Sequence, residues 1–292
     1  MKFLFLNDTE NWYHFGCTGT SLALKKELSK RGEIIKSYPI NALDFQDYIK
    51  MIPETDWVII NGEGSLHSPS HFLLDAALLA KHKGKKVAII NASIYPPRNN
   101  ETYYVNVLKQ CDFLGIREHR SSEALKDLDI DHELTFDCLP LYIRENFPSP
   151  KMKSKFGALA GSVILRKYLK DPKSDELITD LLGGLNIDEY FFIYGSKEFT
   201  AAEDLMYSRV LSDLSHKVVK TISVDDFLTV ISQSSEMVSG RFHHSIAAYC
   251  LDIPVVIRES NTPKNKALRE IFDGKPTLSD LCERAERNFI FL

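Results

Sequence analysis

No stretch of this chain approaches the run of about 18 apolar residues that a membrane-spanning helix needs, so no helical span is expected. The apolar start Met1–Leu6 is too short for a signal peptide and has no cleavage site. Cysteine is sparse: Cys17, Cys111, Cys138, Cys250 and Cys282 make neither a C-x-x-C pair nor an even framework. They read as reduced cytosolic thiols, and no metal site is expected. A basic stripe is lacking as well. Lys and Arg number 36 against 40 Asp and Glu, a net charge of −4, which argues against a nucleic-acid surface. The clusters Lys83–Lys86 and Lys151–Lys155 are short and read as solvated turns. Neither a short-period repeat nor a low-complexity tract occurs. What remains is a globular composition, 44% apolar and 26% charged, over 292 residues. That is one large domain or two ordinary ones, placed in the cytoplasm or at most peripherally at the inner membrane.

The apolar runs have the grammar of an α/β protein. Lys2–Leu6, Glu33–Tyr38, Trp57–Ile60, Lys86–Ile90 and Phe113–Ile116 read as strands, with helical patterns over Thr20–Lys30, Ser70–Lys81 and Glu101–Gln110 between them. Asn7–Gly19 reads as a polar, aromatic loop opening onto a helix N-terminus, where Asn11, Gly16, Thr18 and Thr20 form a candidate anion- or acceptor-binding loop. His67 is a candidate cap for the helix that follows it. Arg144–Lys155 has no periodicity and contains two prolines, Pro148 and Pro150, so a linker is placed there. The expected division is 1–145 and 146–292. The second half repeats the pattern: a strand ending at Arg166, a helix over Ser174–Leu185, a strand over Glu189–Tyr194, a helix opened by Gly195, then Val218–Ile222 and Val224–Gln233. The expected architecture is therefore two Rossmann-like, doubly wound α/β domains facing a cleft.

Polar groups gather just past the strands. Glu63 lies between Gly62 and Gly64, with little side-chain bulk around it. It reads either as a general acid or base that meets a sugar hydroxyl, or as a loop carboxylate hydrogen-bonded to amides. Arg117 and Asp137 follow short strands; Arg117 reads as a site residue or as half of a salt bridge with a nearby carboxylate, and Asp137 as a candidate site carboxylate. The segment Met237–Tyr249 is the most specific. Its strand ends at Ser239-Gly240, then Arg241, His243 and His244 precede a helical run, and Ile253–Ile257 is the next strand. A guanidinium fork in a βα turn fits a carboxylate or phosphate, and His243 adds a donor or a proton-transfer group. The alternative is a structural ion pair, with the histidines capping the helix.

Ser239-Gly-Arg-Phe-His243, the small-residue helix Ile246–Ala248, the strand Ile253-Pro-Val-Val256 and a downstream Lys264 or Lys266 resemble the polysaccharide pyruvyl transferase family. Weaker matches lie at Asn11–Thr20, at Asn61–Ser65, and at Arg117, Ser121 and Asp137. The resemblance implies a fold like that of GT-B glycosyltransferases. It also implies transfer of a pyruvyl group from phosphoenolpyruvate to a sugar of a surface polysaccharide such as capsule or lipopolysaccharide. Arg241, His243, His244, Ser239, Lys264 and Arg117 would hold the donor, and His243 or a carboxylate would protonate its enol carbon. Family members commonly carry a glycine run where Glu63 stands. Glu63 with Asp137 therefore suggests an alternative, a retaining carboxylate pair acting on a nucleotide sugar such as CMP-Kdo. No Asp-x-Asp pair follows a strand, which fits a metal-independent enzyme without a cofactor. A third reading is a non-catalytic glycan or nucleotide binder. The expected partners are a small-molecule donor and a glycan acceptor, lipid-linked if the protein sits at the membrane.

Overall fold

Short apolar runs, several of which stop at an asparagine, serine or glycine, supply the strands. A computed structural model describes residues 1–12, 14–40, 42–64, 66–67, 71–147, 156–161, 190–196, 217–260 and 262–292. Among these residues the strands form two parallel sheets, of six and five strands. The chain divides into two compact units. Met1–Trp12, Thr20–Leu141 and Ser279–Leu292 make the first, and Tyr13–Gly19 with Tyr142–Leu278 make the second.

In the first unit the strands are β1 (Lys2–Asp8), β2 (Glu33–Pro39), β3 (Trp57–Asn61), β4 (Lys86–Ala92), β5 (Phe113–Ile116) and β6 (Glu133–Leu134). The helices that begin between or after them are α1 (Phe15–Ser29), α2 (Phe45–Met51), α3 (Phe72–His82), α4 (Glu101–Leu108), α5 (His119–Lys126) and α6 (Leu139–Asn146). Parallel neighbours need such crossovers. The order β2-β1-β3-β4-β5-β6 reverses direction between β1 and β3. Val58, Ile59 and Ile60 are fully buried, as a central parallel strand with both faces covered requires. Alternation sends Leu4, Leu6, Val58, Ile60, Val87 and Ile89 into one cluster with Leu73, Leu74 and Ala77 of α3. Burying each such side chain contributes about 1.5–3 kcal/mol.

The last helix, α10 (Leu278–Glu286), leads into residues that return to this sheet. The Phe291 ring lies 4.7 Å from Trp57 and 4.6 Å from Phe113. Asn288 is fully buried and satisfies both ends of its amide. Its Nδ2 donates to the Phe136 and Ala285 carbonyls, both at 2.9 Å. Its Oδ1 accepts from Asn91 N at 2.8 Å and Thr135 Oγ1 at 3.1 Å. Only glycine fits at 115, because a Cβ there would stand 2.5 Å from Asn288 Oδ1.

The second unit contains β7 (Gly157–Ala160), β8 (Tyr190–Tyr194), β9 (Lys217–Lys220), α7 (Val224–Gln233), β10 (Glu236–Ser239), α8 (Phe242–Cys250), β11 (Val255–Ile257) and α9 (Lys264–Asp273). The sheet order is β11-β10-β7-β8-β9. This is the Rossmann order, with its reversal between β7 and β10.

Several boundaries differ from the expectation. The first helix begins at Phe15 rather than Thr20, so Gly16, Thr18 and Thr20 are helical and not loop residues. His14 starts that helix, its carbonyl accepting from Thr18 N at 3.0 Å and Thr18 Oγ1 at 3.3 Å. His71, not His67, caps α3, through Leu73 N. Lys264 and Lys266 lie within α9. The strand end at Arg166, the helix over Ser174–Leu185 and the helix opened by Gly195 lie outside the described residues. Among the described residues, no helix is long and apolar enough to cross a membrane.

Because Asn288 serves two carbonyls and two donors in a dry site, Asn288→Ala should destabilise the protein by about 2–4 kcal/mol. Urea unfolding would measure this, and a change within 0.5 kcal/mol, roughly that of a surface substitution, would contradict it.

Candidate functional site

At the carboxyl ends of parallel strands, backbone groups run out of ladder partners. In the first unit, asparagines close this edge. Asn7 Nδ2 donates to the Asn61 carbonyl at 2.7 Å, and Asn61 Nδ2 returns to the Asn7 carbonyl at 3.3 Å. Asn91 Nδ2 donates to Asn61 Oδ1 at 3.1 Å, and Asn91 Oδ1 accepts from Cys138 N at 3.3 Å. Asn7 and Asn91 take left-handed backbone, with φ of 61 and 55°, which asparagine tolerates better than most side chains. Close strand approach sharpens the edge, since a Cβ on Gly62 would meet Ala92 Cβ at 2.4 Å.

Glu63 stands just beyond this edge, at the reversal between β1 and β3. Ligands in open α/β sheets bind at such reversals. Its side chain is 7% exposed. Oε2 accepts from Thr9 Oγ1 at 2.7 Å and from Asn61 Nδ2 at 3.3 Å. Asn61 Oδ1 in turn accepts from Glu63 N at 3.2 Å. Two donors on one oxygen hold the carboxylate in a fixed orientation.

Asp137 has a different environment. It is fully buried. Oδ2 accepts from Arg117 Nη1 at 2.8 Å, and Oδ1 accepts from Thr20 Oγ1 at 3.1 Å and Leu139 N at 2.9 Å. Arg117 is 1% exposed, and its Nε donates to Ser93 Oγ at 2.9 Å. This is the salt-bridge alternative for Arg117, with Asp137 as its carboxylate. Asp137 locks α6 and Arg117 to the sheet instead of standing ready as a nucleophile. Both Glu63 and Asp137 are near Cys138, whose thiol is pushed well up by burial and by their negative charges.

In the second unit the site is cationic. Ser239 closes the turn after β10: its Oγ accepts from Arg241 N and donates to the Arg241 carbonyl, both at 3.0 Å. Asn265 braces it from α9, Nδ2 donating to the carbonyls of Gly240 at 3.0 Å and Arg258 at 2.8 Å. Arg241 is thereby set as the residue before α8, with no side-chain cap, at the reversal between β7 and β10. His243 lies in the first turn of α8. Lys264, at the first turn of α9, holds its Nζ 5.8 Å from the Phe242 ring centre.

His14 reports how concentrated this charge is. Burial first, then the charges of Arg241, His243 and Lys264, lower it from 6.5 to about 3, against a backbone hydrogen bond at Gly195. His14 is thus neutral near pH 7. His244, expected to help hold the donor, is instead a core residue, 7% exposed. Its ring meets Phe227 edge-on at 4.7 Å. A Cβ on Gly195 would stand 2.1 Å from its Cε1. Burial holds its proton affinity well below the usual histidine range, with Arg241, His14 and His243 adding to the effect. Asn11 lies exposed in the turn after β1.

The structure thus gathers Glu63, Arg117, Asp137 and Thr20 in the first unit. It gathers Gly16, Thr18, Ser239, Arg241, His243 and Lys264 in the second. Sequence reasoning passed over Asn7, Asn61, Asn91, His14 and Asn265. The asparagines carried a readable signal, because Leu6-Asn7, Ile60-Asn61 and Ile90-Asn91 each end an apolar run.

A family model described as polysaccharide pyruvyl transferase matches residues 20–261. No curated protein matches the chain by sequence. Among solved structures, the chain is similar to the UDP-GlcNAc 2-epimerase of Methanocaldococcus jannaschii: 13% identity, TM-score 0.58, 98% of each chain covered. It is also similar to that of Neisseria meningitidis bound to UDP-GlcNAc, at 13% identity and TM-score 0.61 over 97% of this chain and 90% of that one. A putative UDP-N-acetylglucosamine 2-epimerase of Listeria monocytogenes gives 12% and 0.55 over 98% and 91%. At such identities the likeness shows the fold alone, which is GT-B-like.

Two outcomes follow. Asp137→Asn removes half of a buried ion pair and should destabilise the protein by about 3–5 kcal/mol in urea unfolding; an unaltered midpoint would show that the pair is dispensable. His14 bears on acid stability. Below pH 6.5 the unfolded chain protonates this histidine, whereas the folded site resists until about 3. Stability is therefore lost as pH falls through that window. Unfolding free energies across it should fall less steeply in His14→Asn, and an identical slope would exclude the contribution.

Proposed function

Because the chain belongs to the polysaccharide pyruvyl transferase family, we propose that it transfers the pyruvyl group of phosphoenolpyruvate to a sugar hydroxyl of a surface polysaccharide. The observation that carries this reading is the cationic cluster of Arg241, His243 and Lys264 around the start of α8, whose charges add to burial in lowering His14. A helix N-terminus favours anions, and a guanidinium fork adds a bidentate partner. Phosphoenolpyruvate brings two anionic groups, a phosphate and a carboxylate, to such a site. His243 protonates the enol carbon, a sugar oxygen adds to the carbon that bears the phosphate, and phosphate leaves. A second hydroxyl of the same sugar closes the ketal. The second unit is the donor side in this reading. Glu63, in the first unit, serves the acceptor side in this reading, where its carboxylate accepts the hydrogen bond and proton of a sugar hydroxyl.

The second reading, a glycosyltransferase using a nucleotide sugar such as CMP-Kdo, keeps one favouring observation: Glu63 is held rigidly at a topological reversal. Its proposed partner carboxylate, Asp137, is engaged by Arg117. The acceptor would be a glycan, reached in the cytoplasm or, if lipid-linked, at the membrane surface.

A thermal-shift comparison decides between donors. Phosphoenolpyruvate well above its dissociation constant should raise Tm by a few degrees, and Arg241→Gln should abolish the shift. A shift with CMP, UDP or GDP and none with phosphoenolpyruvate would transfer the assignment to a nucleotide-sugar enzyme. Glu63→Gln should keep the phosphoenolpyruvate shift while transfer to the sugar falls by about 10²–10⁴.

A further inference from the structure

His243 is walled in by the first turn of α1. The turn comes this close because residue 16 is glycine: a Cβ there would stand 2.2 Å from His243 Cβ and 2.6 Å from its Cγ. The imidazole therefore lies against main chain. On that wall, Cys17 Sγ reaches His243 Nδ1 at 3.9 Å, and the Phe242 ring stands edge-on to the imidazole at 5.6 Å. We propose that Cys17 is a positioning residue for His243, committing Nδ1 so that Nε2 is the nitrogen presented to the donor. This rests on the reading that His243 serves an anionic donor.

A thiol suits the task because it both donates and accepts weakly. Toward a neutral imidazole its S–H donates to Nδ1, which puts the ring proton on Nε2. Toward an imidazolium its sulfur accepts from Nδ1–H. His243 can then lose and regain a proton with the same neighbour and the same ring orientation. An alanine offers neither function. A serine offers both, from a shorter side chain.

Other thiols lack this setting. Cys138 and Cys282 are buried, and Cys250, half-buried, ends α8 rather than starting a helix. Burial pushes Cys111 up to about 12, and its Sγ donates to the Val107 carbonyl at 3.6 Å. Cys17 is half-buried, at the N-terminal turn of a helix and beside a titratable ring.

The test uses the full chain with ¹⁵N-labelled histidine. In the ligand-free wild type, above its titration, His243 should show the Nε2–H tautomer. Cys17→Ala should give a mixture, and Cys17→Ser should restore the wild-type pattern. By calorimetry, phosphoenolpyruvate should bind Cys17→Ala about fivefold more weakly, with an altered pH dependence of Kd and with partial recovery in Cys17→Ser. An unchanged tautomer ratio and pH profile in Cys17→Ala would overturn the proposal. If phosphoenolpyruvate failed to bind the wild type, the donor reading would fall, while the tautomer comparison would still decide the role of Cys17. Should Cys17→Ala not fold, the wild type and Cys17→Ser carry the comparison: a wild-type His243 spectrum with no preference for the Nε2–H tautomer would overturn the proposal.

Discussion

The carboxyl edge of a parallel sheet has main-chain groups that no neighbouring strand can satisfy, and everything at these two sites depends on how side chains close it. In the first unit Asn7, Asn61 and Asn91 do so by bonding to one another and to the strand ends. The same amides then orient Glu63. Asn288, brought in by the C-terminal segment, holds Asn91 from behind. In the second unit Ser239 and Asn265 play the equivalent part around Gly240 and Arg241. A few polar side chains thus satisfy the backbone and aim the functional groups at once.

The two edges differ in charge. In the first, Arg117 is consumed by Asp137 in a dry pair, so Glu63 is left as the carboxylate at the reversal. In the second, Arg241, His243 and Lys264 lie close enough to act together on His14. Burial alone lowers a histidine's proton affinity, and added positive neighbours lower it further. An environment of that kind gains from an anion. The proposed donor, phosphoenolpyruvate, carries two anionic groups suited to such a charge pattern.

Much of the fold was legible in the chain. Strand cores such as Trp57–Ile60 and Lys86–Ile90, and the helix Val224–Gln233, follow from apolar runs and their periodicity. The start of α1 was less so. The polar, aromatic stretch before Thr20 looks like a loop locally, but Phe15 N bonds to the Gly195 carbonyl at 2.8 Å and the helix begins there. That bond joins residues far apart in the chain, and no local pattern encodes it. The final helix was likewise unmarked. The segment that follows it is held by Phe291, which meets Trp57 and Phe113.

The sequence by itself determined the α/β class, the family and the Arg241–His243 motif, because these are written in short runs whose spacing survives without contacts. Tertiary structure decided which polar groups are occupied. Arg117 and Arg241 look alike in the chain, each just past a strand. One is buried against a carboxylate, and the other starts a helix among further cations. His243 and His244 are adjacent, yet one lies against Gly16 and the other against Gly195 and Phe227. Burial and pairing are properties of neighbours in space. A one-residue step along a helix turns a side chain by about 100°, enough to separate a site histidine from a core one.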